Sequence, residues 1–200
     1  MPDMLSLKES RRLQLAAEQG VAWGSSCCVA AWGLRRHKHV GTALQSYLRR
    51  STDDLERILA AGSTQNANGP HGPNLRIVKG AYLEPAEIAF TSKSQVDRTY
   101  VDLVERMLLA GSFVAVATHD EQIIEHVISF TKQHQIHPAN RFEFQMLYGV
   151  RPRLQKHLIT RGYPLLVATP YGPDWYPYLM RRLAERPANV GFLLRSLLRG

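Results

Sequence analysis

Two cations beside a glycine are the first candidates for chemistry in this chain. The segment NLRIVKGAY, residues 74–82, alternates apolar side chains with Arg76 until Lys79 and Gly80 interrupt the pattern. A charge buried unpaired in an apolar core is strongly unfavourable, so neither cation belongs in the core by itself. Glycine lets a ligand approach the main chain, and its N–H is a further donor. The segment therefore predicts a strand that ends at an anionic ligand; an edge strand with solvated Arg76 and Lys79 is the alternative.

Polar groups also accompany two later apolar segments. Thr118 and His119 come directly after FVAVA, where the imidazole could donate to a phosphate or a ring oxygen. Glu143 and Gln145 alternate with apolar residues in FEFQML, so they share one face of a strand. Polar groups on an enclosed face need partners, which a flavin or a sugar could provide. The alternatives are a helix cap by Asp120 with a solvated histidine, and a polar face covered by water.

A third candidate lies near the carboxyl terminus. Tyr178, Arg181, Arg182 and Glu185 are spaced so that they share one face of a helix. Adjacent arginines with an aromatic residue one turn earlier can hold a carboxylate and cover an aliphatic ring, and Glu185 can hold one arginine in place. A solvated charged face is the alternative for this pattern.

The elements that must position these groups alternate between strands and helices. Strands are predicted over residues 40–47, 75–79, 113–118, 142–147 and 164–169. Helices are predicted over residues 52–61, 95–110 and 175–185, and also after Asp120 and from Pro152, with Ser51, Ser94, Asp120 and Asp174 as caps. This alternation predicts an α/β fold with a parallel sheet. In such folds the carboxyl ends of the strands carry the active site, and the candidate groups cluster there.

Composition limits the classes of function. The 200 residues carry a net charge of +8, but eight Lys/Arg against three Asp/Glu fall within the first 50 residues. No basic run is interleaved with aromatic residues, which argues against nucleic-acid binding. The two cysteines, Cys27 and Cys28, are adjacent, which favours a reducing compartment. The sequence contains neither a phosphate-loop, dinucleotide or nucleophile-elbow motif nor metal-ligand spacing among its eight histidines, so we expect no metal.

Five segments in order resemble one family. LQSY, RIVKGAY, VATHD, RFEFQMLYG and YLMRRLAERPAN resemble proline dehydrogenase, especially its bacterial single-function form, from about residue 40 to the end of the chain. The resemblance implies a (β/α)8 TIM barrel that holds FAD at the carboxyl ends of its strands. It also implies that L-proline is oxidised to 1-pyrroline-5-carboxylate by hydride transfer to the flavin, with the electrons passed to a quinone in proline catabolism.

The resemblance also implies roles for individual residues. The positions matching the FAD site are Gln45, Arg76, Lys79, Gly80, Ala81, Thr118, His119 and Gln145. Arg76 matches the arginine near flavin N5 and is the candidate catalytic residue. Substrate binding would fall to Leu147, Tyr178, Arg181 and Arg182, of which the two arginines hold the carboxylate of proline. Glu185 would support that pair. Ala168 stands where the family has a tyrosine.

The predicted strands number five, and they match the fourth to eighth strands of the family's barrel. We therefore expect residues 39–200 to form the carboxyl-terminal part of a proline dehydrogenase barrel, truncated at its N-terminus, with 1–38 as a non-homologous or disordered segment. An inactive remnant, or a fragment that associates with other copies through its open edges, is the alternative function.

The apolar stretch over residues 21–34 is too short to span a membrane and follows a poor signal-peptide sequence, so no transmembrane segment is expected. A cytoplasmic enzyme is expected, with peripheral contact at the inner face of the membrane for access to its quinone.

Overall fold

Five parallel strands form the centre of the computed structural model. The structure describes residues 41–63, 73–80, 84–138, 141–169 and 172–173. The strands are β1 (Gly41–Gln45), β2 (Asn74–Val78), β3 (Phe113–Ala117), β4 (Phe142–Leu147) and β5 (Leu165–Ala168). They lie side by side in chain order, and every neighbouring pair is parallel. The predicted parallel α/β architecture is therefore confirmed for the described residues.

Helices connect the strands and pack on one face of the sheet. They are α1 (Ser51–Ser63), α2 (Lys93–Leu109), α3 (Glu121–Gln133) and α4 (Pro152–Thr160). Each has an apolar side that enters the core, as α2 does with Tyr100, Leu103 and Met107. The predicted helix 175–185 lies outside the described residues.

Of the four predicted helix caps, Asp174 lies outside the described residues, and one of the other three is confirmed. Asp120 precedes α3 and accepts a hydrogen bond from Gln122 N at 3.2 Å. The predictions for Ser51 and Ser94 are wrong, because each lies inside its helix. Ser51 begins α1 and its hydroxyl instead donates to Gln45 O at 2.5 Å. The cap residue of α2 is Ser92, whose side chain makes no capping bond and lies 2.8 Å from the Ser94 hydroxyl.

The two faces of the sheet differ in burial. Residues on the helix side are almost fully buried and form one cluster with the helices: Leu44, Leu75, Ile77, Val114, Val116, Phe142, Phe144 and Met146. The FEFQML strand has the predicted alternation, with Phe142, Phe144 and Met146 buried and the intervening residues partly exposed. Phe142 and Phe144 pack edge to face at 5.5 Å between ring centroids. We call the other side of the sheet the open face; it carries Gly41, Ala43, Gln45, Asn74, Arg76, Val78, Phe113, Ala115, Ala117, Glu143, Gln145, Leu147, Leu166 and Ala168.

A buried tyrosine joins the helix layer to the sheet. Tyr100 of α2 is fully buried, and its hydroxyl donates to Ile77 O of β2 at 3.0 Å. Burial raises the pKa of Tyr100 far above its ordinary value, so the hydroxyl stays protonated and donates at physiological pH. This bond positions α2 against the strand that carries Arg76.

The difference between the two faces predicts different costs of truncation. Phe144→Ala is expected to lower the free energy of unfolding by about 3–5 kcal/mol, because it opens a cavity among buried side chains. Leu166→Ala is expected to cost less than about 1 kcal/mol, because Leu166 lies on the open face and is 44% exposed. Urea unfolding of both variants measures the difference; equal losses would contradict the assignment of faces.

Candidate functional site

Parallel pairing gathers the candidate residues at one edge of the sheet. Gln45, Thr118, His119, Gln145 and Leu147 lie at or just past the carboxyl ends of three strands. Lys79 and Gly80 follow β2 directly, and Arg76 lies within it. The remaining candidates, Ala81, Tyr178, Arg181, Arg182 and Glu185, lie outside the described residues.

Arg76 is the most open of the described candidates. The strand register aligns Ala43, Arg76, Ala115 and Glu143 in one row across β1 to β4. Small alanines therefore flank Arg76 on both sides, and the side chain is exposed. Within the described part of the chain Arg76 makes no hydrogen bond or ion pair. A cation in this position can accept an anionic or electron-rich ligand without first losing a protein partner.

Glu143 and Gln145 provide polar groups on the same face. Gln145 Nε2 donates to Glu143 Oε1 at 2.7 Å, so each already has one partner in the protein. Among the described residues this bond leaves Gln145 Oε1 and the second carboxylate oxygen of Glu143 as acceptors for a ligand. The α-carbons of Arg76 and Glu143 are about 10 Å apart, since two strand spacings separate them.

These side chains line a shallow cleft on the open face. Its volume is about 300 Å³, and its walls are Gly41, Thr42, Ala43, Asn74, Arg76, Phe113, Ala115, Glu143 and Gln145. The cleft combines the guanidinium of Arg76 with the amide of Gln145, the carboxylate of Glu143 and small side chains of β1 and β3. It can accommodate a planar polar group against the sheet.

Lys79 differs from Arg76 because it is already paired. Its ammonium lies 2.6 Å from Asp97 Oδ1 and 2.8 Å from Asp120 Oδ2, and only 17% of the side chain is exposed. Lys93 also pairs with both carboxylates. Burial would raise the pKa of Asp97 and of Asp120, but the hydrogen bonds and charges of the two lysines outweigh it, and both pKa values are lowered. The network joins the end of β2 to the N-terminal part of α2 and to the N-cap of α3. The role of Lys79 at a cofactor stays a prediction.

The glycine after Lys79 is required by a contact within the chain. Gly80 has φ of +101°, and a Cβ placed there would lie 2.1 Å from the ring of Tyr47. The sequence predicted that a ligand approaches this glycine; in the structure the Tyr47 ring occupies the space above its α-carbon. Tyr47 N also donates to Lys79 O at 3.0 Å, which fixes the loop after β1 against the end of β2. The placement of a cofactor along Lys79 and Gly80 stays a prediction.

Thr118 and His119 form the turn between β3 and α3. The buried hydroxyl of Thr118 accepts from Asp120 N at 3.1 Å. His119 Nε2 accepts from Leu147 N at 2.9 Å. Burial, helped by the charge of Arg151, lowers the pKa of His119 to about 4, so the imidazole is neutral at physiological pH. Asp120 therefore caps α3, as in the alternative prediction, but His119 is partly buried and not solvated.

Sequence reasoning missed three residues around this edge. Tyr47 and Asp97 were not candidates, although the spacing of Lys93 and Asp97 is a recognisable i, i+4 pair. Arg151 was also missed. It has φ of +51° just before Pro152, and its guanidinium lies 3.3 Å from Glu121. A non-glycine residue in the left-handed region is uncommon and costs about 1–3 kcal/mol, so the surrounding contacts must hold it there.

The contact between Gly80 and Tyr47 predicts an unusually costly substitution. Gly80→Ala is expected to lower the free energy of unfolding by about 3 kcal/mol, since left-handed strain of about 1–2 kcal/mol adds to overpacking of about 1–3 kcal/mol. Gly111→Ala is the matched control: Gly111 has φ of +79° but no atom near the added Cβ, so only about 1 kcal/mol is expected. Urea unfolding measures the loss of unfolding free energy in both variants. Equal losses would show that the contact between residue 80 and the Tyr47 ring does not affect stability.

The lysine network predicts a loss of stability that depends on pH. Lys79→Met is expected to cost about 2 kcal/mol at pH 7, between the values for exposed and buried ion pairs, because Asp97 and Asp120 lose the less exposed of the two cations they share. A carboxyl whose folded pKa is lowered contributes stability above its ordinary pKa of 3.8, and that contribution is lost as the pH falls through the lowered value. The difference between wild type and variant should therefore shrink below about pH 4.

Urea unfolding at pH 7 and pH 3 measures this effect. Arg106→Met is the control, because Arg106 pairs with Glu56 and Asp102 at the surface, where all three side chains are more than two-fifths exposed. Arg106→Met is expected to lower the free energy of unfolding by less than about 0.5 kcal/mol. A loss for Lys79→Met that does not change with pH would contradict an electrostatic origin.

Comparison with known proteins extends over most of the chain. The family model for proline dehydrogenase matches residues 25–195. The match includes part of the segment 1–38, whose assignment as a separate segment stays a prediction.

Curated bacterial proteins agree with the family model. The chain is 46% identical over 160 residues to proline dehydrogenase 1 of Bacillus subtilis, covering 80% of this chain and 49% of that protein. It is 48% identical over 163 residues to proline dehydrogenase of Deinococcus radiodurans, covering 82% and 49%. The chain thus spans about half the length of the curated relatives it matches.

Solved structures agree in fold. Proline utilization A from Bdellovibrio bacteriovorus, inactivated by N-propargylglycine, superposes with a TM-score of 0.65 at 25% identity, over 74% of this chain and 16% of that chain. A proline utilization A structure with proline bound in remote sites gives 0.66 at 26% identity, over 86% and 19%. These likenesses confirm the predicted α/β class and its TIM-barrel family. From the ordered motifs, the family match and the shared fold we conclude that this chain belongs to the proline dehydrogenase family.

Proposed function

We propose that the protein takes part in proline catabolism as an FAD-dependent oxidoreductase that converts L-proline to 1-pyrroline-5-carboxylate. The reaction removes a hydride and a proton from proline and forms a C=N bond in the product. When bound, FAD supplies the hydride acceptor, and a quinone is the proposed final acceptor of the electrons. Two relatives more than 45% identical to this chain are named proline dehydrogenases, which supports the substrate and reaction class.

The observation that carries the proposal is the exposed guanidinium of Arg76. It lies in the cleft on the open face, between two alanines and without a protein partner in the described part of the chain. A fixed positive charge beside a flavin stabilises the negative charge that the ring gains on reduction. Arg76 is therefore the proposed catalytic residue, acting as a positioned cation rather than as an acid or base.

Other residues of the edge fit the same cofactor through hydrogen bonding. Oε1 of Gln145, which makes no hydrogen bond within the described residues, can accept from a ring N–H, and the partly buried amide of Gln45 can contribute at the end of β1. His119 is neutral and keeps one N–H donor, which suits an oxygen or nitrogen acceptor. Thr118, Lys79, Gly80 and Ala81 complete the proposed FAD site.

The substrate side of the proposal combines a described wall with an arginine pair from the sequence. Leu147 ends β4 on the open face, where its side chain can cover the aliphatic ring of proline. Tyr178, Arg181 and Arg182 would close the other side, and the arginines would bind the carboxylate with paired hydrogen bonds. Ala168 ends β5 opposite Leu147, so the pocket lacks the aromatic side chain that the family has there.

The proposed quinone implies access to a lipid-soluble acceptor. None of the helices in the described residues is long and apolar enough to cross a bilayer. A cytoplasmic location with peripheral contact at the inner face of the membrane stays part of the proposal.

Replacing the open cation tests the proposal. Arg76→Met is expected to weaken FAD binding about tenfold or more and to reduce proline-dependent dye reduction about 100-fold to 1000-fold, since a charge-assisted contact and a preorganised electrostatic group are both lost. Flavin fluorescence titration and the dye assay measure the two effects. Arg98→Met, at an exposed arginine of α2, is the control and should change neither.

The open edges favour a second candidate, a non-catalytic fragment that associates with other copies. In the described sheet β1 and β5 each have one neighbour, so both present unpaired main-chain groups. Sedimentation analysis and flavin titration of the purified chain distinguish the two candidates. A flavin-loaded monomer that oxidises proline supports the enzyme, whereas oligomers that never bind FAD would overturn the enzymatic proposal for this chain.

A further inference from the structure

The ladder between β3 and β4 ends on a side chain. The last residue pair of this ladder is Ala117 with Gln145. On β4, Phe144 N and Tyr148 N donate to carbonyls on the β5 side, so the N–H of the intervening Leu147 points toward β3. Its acceptor is His119 Nε2 at 2.9 Å, in the position where another residue of β3 would supply a carbonyl.

The carbonyl of the same residue is also held by a side chain. Gln155, in the first turns of α4, donates from Nε2 to Leu147 O at 2.9 Å and to Val150 O at 2.8 Å. The same carbonyl also accepts from Val150 N in the following turn, at 3.2 Å. Side chains from two separate elements therefore bond the N–H and the C=O of Leu147, and its N–H relies on a side chain where a ladder carbonyl would otherwise be needed.

The bond to Leu147 determines where the histidine carries its proton. Nε2 can accept only through its lone pair, so the ring proton of neutral His119 lies on Nδ1. Burial and the nearby charge of Arg151, which itself pairs with Glu121, favour the neutral ring. Nδ1–H has no hydrogen-bond partner in the described part of the chain, and it remains the one donor of the ring.

We propose that His119 and Gln155 are positioning residues that fix the main chain of Leu147, and that His119 does so as its Nδ1–H tautomer. One ring thereby connects the two halves of the site. Nε2 holds the residue proposed to cover the substrate, and Nδ1–H remains for the cofactor side. The tautomer and the two bonds are properties of the chain itself; only their effect on catalysis rests on the proposed function.

Two measurements on the ligand-free full chain test the inference. Long-range nitrogen–proton NMR correlation of histidine-labelled protein at pH 7 should find His119 with its proton on Nδ1, with exposed His134 as the internal reference. Amide exchange of Leu147 should be about tenfold faster in His119→Ala, in line with the loss of one hydrogen bond. His119→Gln, whose side-chain oxygen can accept the same N–H, should restore most of the protection.

The neighbouring amide separates a local effect from general unfolding. Tyr148 N donates to Ala168 O on the other side of β4, so its exchange should not change in His119→Ala. Gln155→Ala should accelerate the Leu147 amide less than His119→Ala does, since it removes a bond to the carbonyl, which keeps its bond from Val150 N, and leaves the bond of the amide in place. A proton on Nε2, an unchanged Leu147 amide, or equal acceleration of Leu147 and Tyr148 would overturn the inference.

A kinetic measurement extends the test to the proposed reaction. In flavin-loaded protein Gln155→Ala should raise KM for proline several-fold while changing kcat less, because it loosens the substrate wall without contacting the cofactor. A matching fall in kcat with unchanged KM would overturn this role of Gln155. If wild type itself oxidises no proline, the proposed function fails, while the tautomer and exchange results still decide the structural inference.

Discussion

In-register parallel pairing is the constraint on which the rest of the structure depends. Because β1 to β5 lie in chain order and all point the same way, each connecting segment must return along one side of the sheet. The helices that make this return bury one face of every strand and leave the alternate residues on the other face. The row containing Arg76 and Glu143 arises only through this pairing, since the two residues are far apart in the chain. A slip of one residue in β2 would turn Arg76 toward the helices and Ile77 away from them.

The same constraint concentrates charge at one edge and therefore requires electrostatic compensation. Lys79 reaches the edge from the end of β2, while Asp97 reaches it from the second turn of α2 and Asp120 from the N-cap of α3. The unpaired N–H groups at the start of α3 favour the carboxylate of Asp120, and Lys79 and Lys93 together neutralise the repulsion between the two carboxylates. Arg76, in contrast, has no such partner among the described residues. The edge thus separates a cation used for structure from a cation open to a ligand, although the two lie three residues apart.

Much of the fold followed from local patterns whose physical cause lies within a few residues. The alternation in FEFQML predicted both the strand and the face that Phe142 and Phe144 bury, because side chains alternate strictly along a strand. Asp120 was predicted as a cap because a carboxylate before an apolar helical repeat can accept from the first turn. The cap predictions at Ser51 and Ser94 were wrong because local sequence does not decide between neighbouring serines. Several serines lie near each helix start, and the tertiary contacts of the preceding loop select among them.

The sequence by itself determined the order and type of the elements, the family, and which residues come to the carboxyl ends of the strands. These properties depend on periodicity and on ordered motifs, which are local or additive along the chain. Only the tertiary structure decided what each of those residues contacts. Lys79 is paired, Gly80 lies under the ring of Tyr47, and His119 closes the ladder at Leu147. Each of these contacts joins residues that are distant along the chain or lie in different elements, so its geometry is set by strand register and helix packing, which no local pattern encodes.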